Sequence, residues 1–86
     1  MIERDEAKAI AAREIAAHGS GSGVRHVLLL HELSFRAPKL YGGPDLASCW
    51  IAYAERTIPR IEPSIIVLID KSSGAVLYHG SANDEG

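Results

Sequence analysis

The chain has 86 residues, a formal net charge of −2, 47% hydrophobic residues and 6% aromatic residues. This length and composition are typical of one folded domain, residues 1–86, and exclude a disordered or fibrous chain. The nine lysines and arginines are scattered along the sequence and form no basic surface for phosphates, so we expect no nucleic-acid partner. Cys49 is the single cysteine, which excludes an internal disulfide.

The N-terminal segment does not have the pattern of a targeting signal. Charged residues interrupt residues 1–19 throughout, whereas a signal peptide needs an uninterrupted apolar core. No apolar run approaches the roughly 18 residues that a membrane-spanning helix requires. We therefore expect a cytoplasmic protein that has no membrane partner.

Residues 3–18 are predicted to form an amphipathic helix, because apolar residues recur at steps of three and four. The apolar face is narrow and rich in alanine, so it allows close approach to a sheet but buries little area per residue. Gly19 is expected to end the helix, and a glycine-serine connector, residues 19–23, follows. The main apolar residues of the helix are Ala7, Ile10, Ala11 and Ile15.

Four strands are predicted after the helix. The first depends on a leucine-rich run that also has good helix propensity, so a buried helix is its alternative. The segment 36–48 contains two prolines and a pair of glycines, which predict the longest loop of the chain. The predicted strands span residues 24–35, 49–56, 64–70 and 75–79.

The last two strands are predicted to form a hairpin, because two apolar runs flank the turn sequence Asp-Lys-Ser-Ser-Gly. Asp70 at the start of the turn can accept a hydrogen bond from the backbone ahead of it. Gly74 tolerates the left-handed conformation that closes a short loop. This turn is the most specific local signal in the sequence.

Together the elements predict an α+β fold, with one N-terminal helix packed on a three- to four-stranded antiparallel sheet in the order α-β-β-β-β. The strand 65–69 is apolar on both faces, yet one alanine-rich helix covers only one face. The other face needs the loop 36–48, a second copy of the chain or a different protein as its cover. We predict a homodimer or another protein contact at this face.

No residue pattern predicts catalysis or a cofactor. Cys49 lies beside Trp50 in an apolar strand, which is typical of a small buried hydrophobic residue and not of a nucleophile. The histidines lack the spacing of zinc motifs and are interpreted as surface or helix-end residues. We therefore expect no metal, no cofactor and no catalytic residue. The four histidines are His18, His26, His31 and His79.

Two segments, CWIAYAER at residues 49–56 and IVLIDKSSGAVLYHGSANDEG at residues 66–86, resemble small bacterial immunity proteins of the nuclear-transport-factor-like (cystatin-like) superfamily. They also resemble PepSY-like domains, in which a strand ending in Asp leads through a Lys-x-x-Gly turn to a strand containing Val-Leu. The resemblance implies a helix on a curved antiparallel sheet and a non-catalytic protein that binds another protein, in the immunity case a toxin. It also implies that the terminal GSANDEG belongs to the pattern.

The sequence and the resemblance together predict a non-catalytic protein-protein interaction domain of the immunity or inhibitor type. One alternative is a small-ligand-binding domain or enzyme that uses the concave sheet face, with His31, Glu32 and Tyr41 at the mouth of its pocket. A second alternative is a structural subunit of a larger assembly. Among the candidate partner-binding residues, Trp50 is expected to belong to the core instead. The candidates are Tyr41, Trp50, Tyr53, Asp84 and Glu85.

Overall fold

The computed structural model describes residues 1–34, 37–40, 42–55 and 64–83, which form one helix and a four-stranded antiparallel sheet. The strands follow one another in the sheet in chain order, β1-β2-β3-β4, so β1 and β4 are the edge strands. This arrangement confirms the predicted α+β fold with the order α-β-β-β-β. The elements are α1 (Arg4–His18), β1 (Gly23–Leu28), a first 3-10 helix (Leu30–Glu32), a second 3-10 helix (Leu46–Ser48), β2 (Cys49–Glu55), β3 (Ile65–Asp70) and β4 (Val76–Ser81).

Helix α1 has nearly the predicted bounds. Asp5 and Glu6 lie in its first turn, where negative charge is favourable. Gly19 ends it in the left-handed conformation, with φ of 63°, and its N–H donates to the Ile15 carbonyl. Within the described part of the chain, no helix combines the length and apolar character needed to cross a bilayer.

The first strand is shorter than predicted, because β1 ends at Leu28 and not at residue 35. The Leu29 N–H donates to the Glu32 carboxylate at 2.8 Å, and the Glu32 N–H donates to the Leu29 carbonyl at 2.9 Å. These two bonds turn the chain into the first 3-10 helix. The leucine-rich run is therefore divided between a strand and a turn, while residues 35 and 36 lie outside the described residues.

The predicted hairpin is confirmed between β3 and β4. Asp70 Oδ2 accepts hydrogen bonds from the Ser73 N–H at 2.8 Å and from the Ser73 hydroxyl at 2.7 Å. Gly74 has φ of 79°, and its N–H donates to the Asp70 carbonyl at 2.9 Å. The second strand of the hairpin begins one residue later than predicted and continues to Ser81.

One sheet face packs against α1 and forms the helix-side core. Ala7 and Ala11 are fully buried, so the helix axis lies close to the sheet, as the small residues predict. Trp50, Val67 and Ile69 contribute the larger side chains from the sheet. Alternation of side chains along β2 and β3 places these three residues on the same face.

The opposite face forms a second core, which the chain itself covers. Ile51, Ile66 and Leu68 are 0% exposed on this face. Three leucines between β1 and β2 pack against them together with Tyr78; these are Leu33, Leu40 and Leu46. Of the three covers considered from the sequence, the intervening loop is the one observed. An uncovered apolar face is therefore no longer a reason to expect a partner.

Candidate functional site

Two of the candidate partner-binding residues, Trp50 and Tyr53, lie in the core and are 5% and 4% exposed. The core position was expected for Trp50 but not for Tyr53. The Trp50 indole N–H donates to the Ile2 carbonyl at 3.3 Å, and the Arg4 guanidinium lies 5.1 Å from the ring centroid. The Tyr53 ring packs in the second core and lies 6.4 Å from the His26 ring. Both rings hold the fold together, so neither is presented to a partner. The other candidates, Tyr41, Asp84 and Glu85, lie outside the described residues.

The alternative ligand pocket was predicted from His31, Glu32 and Tyr41. His31 is exposed on the first 3-10 helix. The Glu32 carboxylate accepts two hydrogen bonds from Arg4, at 2.7 and 3.0 Å, besides the bond from Leu29. The bonds from Arg4 and then from Leu29 hold the pKa of Glu32 below its ordinary value. Glu32 therefore links the first 3-10 helix to α1. Of the two sheet faces, one is covered by α1 and the other by leucines.

The two edge strands differ in the residue at their bulge. In β1 the pairing shifts between Val24 and His26, so Arg25 is the extra residue, and it lies 3.9 Å from the Glu55 carboxylate. In β4 the pairing shifts between Val76 and Tyr78, so the extra residue is Leu77, which is 46% exposed. Charged residues on an edge strand disfavour pairing with another chain, whereas an exposed leucine does not.

The outer edge of β4 carries backbone groups that face away from β3; we call it the β4 edge, with bounds Val76–Ser81. The Ala82 N–H donates inward to the Ser64 carbonyl at 2.8 Å. Because donors alternate along an antiparallel strand, the N–H groups of His79 and Ser81 point outward. Among the described residues no strand pairs with this edge. The sequence identified the strand but gave no indication of which strands lie at the sheet edges.

A polar cluster lies where the end of α1 meets β4, and it consists of Glu14, His18, Ser20 and His79. Glu14 Oε1 lies 3.4 Å from His79 Nδ1 and 3.5 Å from His18 Nδ1. Ser20 Oγ lies 2.8 Å from His79 Nε2. The two imidazole rings meet edge to face, with centroids 4.8 Å apart. The arrangement can hold a metal ion or relay a proton.

Sequence spacing did not reveal this cluster, because Glu14 and His79 are 65 positions apart. The interpretation as surface or helix-end residues is correct for His18, which ends α1 and is 60% exposed, and wrong for His79, whose side chain on β4 is 12% exposed. A local signal was present, since Glu14 and His18 are four positions apart on a helix and so share one side of it. The contribution from β4 depends on the tertiary fold.

Cys49 is fully buried in the second core, as its apolar surroundings predict. Burial, followed by the charge of Asp70, raises the pKa of the thiol above its ordinary value. A thiolate is therefore disfavoured at this position.

Comparison with known protein families, with curated proteins and with solved structures finds no match to this chain. The functional argument therefore depends on the residues and geometry of the chain itself.

Proposed function

We propose that this protein is a non-catalytic protein-binding domain that associates through the β4 edge, with a second copy of the chain as its partner. The observation that carries the proposal is the exposure of Leu77 at the bulge of β4. The corresponding bulge of β1, at the opposite edge of the sheet, has Arg25 instead. One edge is thus protected by a charge and the other is apolar.

The charge of β4 favours a second copy as the partner. Its sequence, VLYHGS, contains no Asp, Glu, Lys or Arg. Two copies related by a two-fold axis would pair their β4 strands antiparallel and place the same residues near one another. Pairing β4 with itself therefore brings no like-charged Asp, Glu, Lys or Arg of β4 together, and it provides partners for the outward N–H groups of His79 and Ser81.

The apolar residues at the start of β4 supply the hydrophobic part of the proposed contact. Val76 is 38% exposed and Leu77 is 46% exposed. Covering them removes apolar area from water, while backbone hydrogen bonds fix the register. An interface of one strand is small, so we expect a dissociation constant in the micromolar range.

Sedimentation velocity across the micromolar range tests this proposal, with Leu77→Lys as the informative variant and Leu30→Lys as the control. Leu30 is also an exposed leucine, 37% exposed, but it lies on the first 3-10 helix. We expect concentration-dependent dimers for the wild type and for Leu30→Lys, and roughly tenfold or greater weakening for Leu77→Lys. A wild type that stays monomeric, or a Leu77→Lys variant that dimerises normally, contradicts the proposal.

An immunity or inhibitor role is a more specific hypothesis within this proposal, and its support is the resemblance of residues 49–56 and 66–86. This hypothesis implies a location in the cytoplasm, where the single cysteine stays reduced. Co-expression with the products of neighbouring genes tests the role: rescue of growth from a toxic product supports it. Failure to rescue against every such product contradicts it while leaving the dimer measurement unaffected.

A further inference from the structure

We propose that Glu14, His18 and His79 form a binding site for a divalent transition-metal ion of the zinc type. The three side chains come from two elements, α1 and β4, and their ligand atoms all lie within 4.8 Å of one another. Two imidazoles and one carboxylate are a donor set that zinc uses in proteins.

The distances suit tetrahedral coordination. Metal–ligand bonds of about 2.0–2.1 Å place neighbouring ligand atoms of a tetrahedron roughly 3.3–3.4 Å apart. Glu14 Oε1 already lies 3.4 Å from His79 Nδ1 and 3.5 Å from His18 Nδ1. For all three ligands to bind, the separation between the two imidazole nitrogens has to shorten. His18 Nδ1 also has to give up its hydrogen bond to the Glu14 carbonyl, which lies 3.0 Å away, and the 60% exposure of the His18 side chain leaves it room to do so.

Ser20 orients the more buried ligand. The His79 side chain is 12% exposed, and its Nε2 lies 2.8 Å from Ser20 Oγ. When Nε2–H donates to this hydroxyl, the lone pair of Nδ1 points toward Glu14 and His18. Metal-binding histidines usually donate their second ring N–H to a neighbouring acceptor in this way, which fixes the tautomer.

Ser20, His79 and Glu14 also contact one another in the order of a nucleophilic triad. The backbone hydrogen bonds around Ser20 nevertheless favour a metal site over a triad. A triad needs backbone N–H groups near the serine to stabilise an oxyanion. The Ser20 N–H donates to the Ile15 carbonyl at 3.2 Å, and the Ser22 N–H donates to the Glu55 carbonyl at 2.8 Å. Both donors are engaged in the fold. The two roles also require opposite tautomers of His79, which makes them distinguishable.

Isothermal titration of the metal-free full chain with Zn²⁺ tests the site, using His18→Ala as the variant and His31→Ala as the control. Both histidines are exposed, so neither replacement disturbs a core. We expect one Zn²⁺ per chain for the wild type and for His31→Ala, and at least about tenfold weaker binding for His18→Ala. A parallel rise in Tm with Zn²⁺ is expected wherever binding is retained. Equal zinc affinity in His18→Ala and the wild type overturns the proposal.

Nitrogen NMR of the histidine side chains gives a second, independent measurement. We expect a proton on Nε2 of His79 and a Zn²⁺-induced shift at its Nδ1. Zinc bound at Nε2 overturns the geometry, and labelling of Ser20 by a fluorophosphonate that is lost in His79→Gln assigns a triad instead. The Leu77→Lys variant should bind Zn²⁺ like the wild type, which separates this site from the proposed dimer contact.

Discussion

At the scale of single residues, two carboxylates close turns by accepting backbone hydrogen bonds. Asp70 accepts from Ser73 at the β3–β4 turn, and Glu32 accepts from Leu29 and Arg4 after β1. The hydrogen bonds from Ser73 hold the pKa of Asp70 below its ordinary value, as those from Arg4 do for Glu32. Each carboxylate is therefore more acidic in the folded chain than in the unfolded chain.

This acidity predicts a loss of stability in acid. Because the folded-state pKa values are lowered, the unfolded chain binds more protons as the pH falls through about 4. The contribution of the two groups is present above their unfolded pKa values and is lost as the pH falls through the folded ones. We expect the Tm of Glu32→Gln/Asp70→Asn to depend less steeply on pH below about 5 than that of the wild type or of the exposed control Glu6→Gln. Equal slopes in all three proteins contradict this assignment.

At the scale of elements, α1 packs closely on the sheet because alanines face it. Ala11 is 0% exposed, whereas Ala16 lies on the exposed side of the same helix. Ala11→Leu forces the helix away from the sheet and should lower the free energy of unfolding by about 1–3 kcal/mol. Ala16→Leu should change it by less than about 0.5 kcal/mol. Urea denaturation measures both, and equal effects would show that the helix is not held at close distance.

The segment between β1 and β2 acts as the cover of the second core. Leu40 and Leu46 contact the buried side chains of that face. Replacing either by Ser should lower the free energy of unfolding by about 1–3 kcal/mol and increase binding of the dye ANS. Leu30→Ser, an exposed control, should change neither by much. Unchanged dye binding in Leu40→Ser and Leu46→Ser would contradict the role of this segment as a cover.

Elements whose signals are local were predicted from the sequence, whereas those set by distant contacts were not. The β3–β4 hairpin depends on Asp70, Ser73 and Gly74, which are neighbours in the chain. The end of β1 also depends on Arg4, which lies on α1. Its guanidinium donates hydrogen bonds to the Val27 carbonyl at 2.8 Å and to the Glu32 carboxylate. The sequence therefore predicts a strand for residues 29–32, whereas these residues form a turn in the fold.

The contacts of Arg4 link α1 to the sheet, and we expect this link to contribute to the free energy of unfolding. Arg4→Ala removes the bonds to Val27 and Glu32 and should lower the free energy of unfolding by about 1 kcal/mol. Arg4→Lys should restore little of it, because a single ammonium cannot reproduce the two-pronged contact. Arg13→Ala, which changes an exposed arginine of the same helix, serves as the control in urea denaturation. Equal stabilities of the Arg4→Ala and Arg13→Ala variants would contradict the claim that Arg4 stabilises the fold by linking α1 to the sheet.

At the scale of the whole molecule, the sequence correctly indicated a sheet that is apolar on both faces but not which part of the chain covers the second face. The sequence also contains His18 and His79 but does not show that they are close in space, because only the fold brings α1 and β4 together. Trp50 and Tyr53 were candidates for partner binding on residue type alone, and both are used by the core. The candidate interface lies instead at Leu77, whose exposure follows from the position of β4 at the sheet edge.

Amide hydrogen exchange of β4, measured below and above the concentration at which the protein associates, tests the central claim most directly. Strand pairing at the β4 edge predicts slower exchange of the outward His79 and Ser81 amides at high concentration, while β1 amides and the Leu77→Lys variant are unchanged. Association that leaves the His79 and Ser81 amides unprotected, or that protects β1 instead, would contradict the claim.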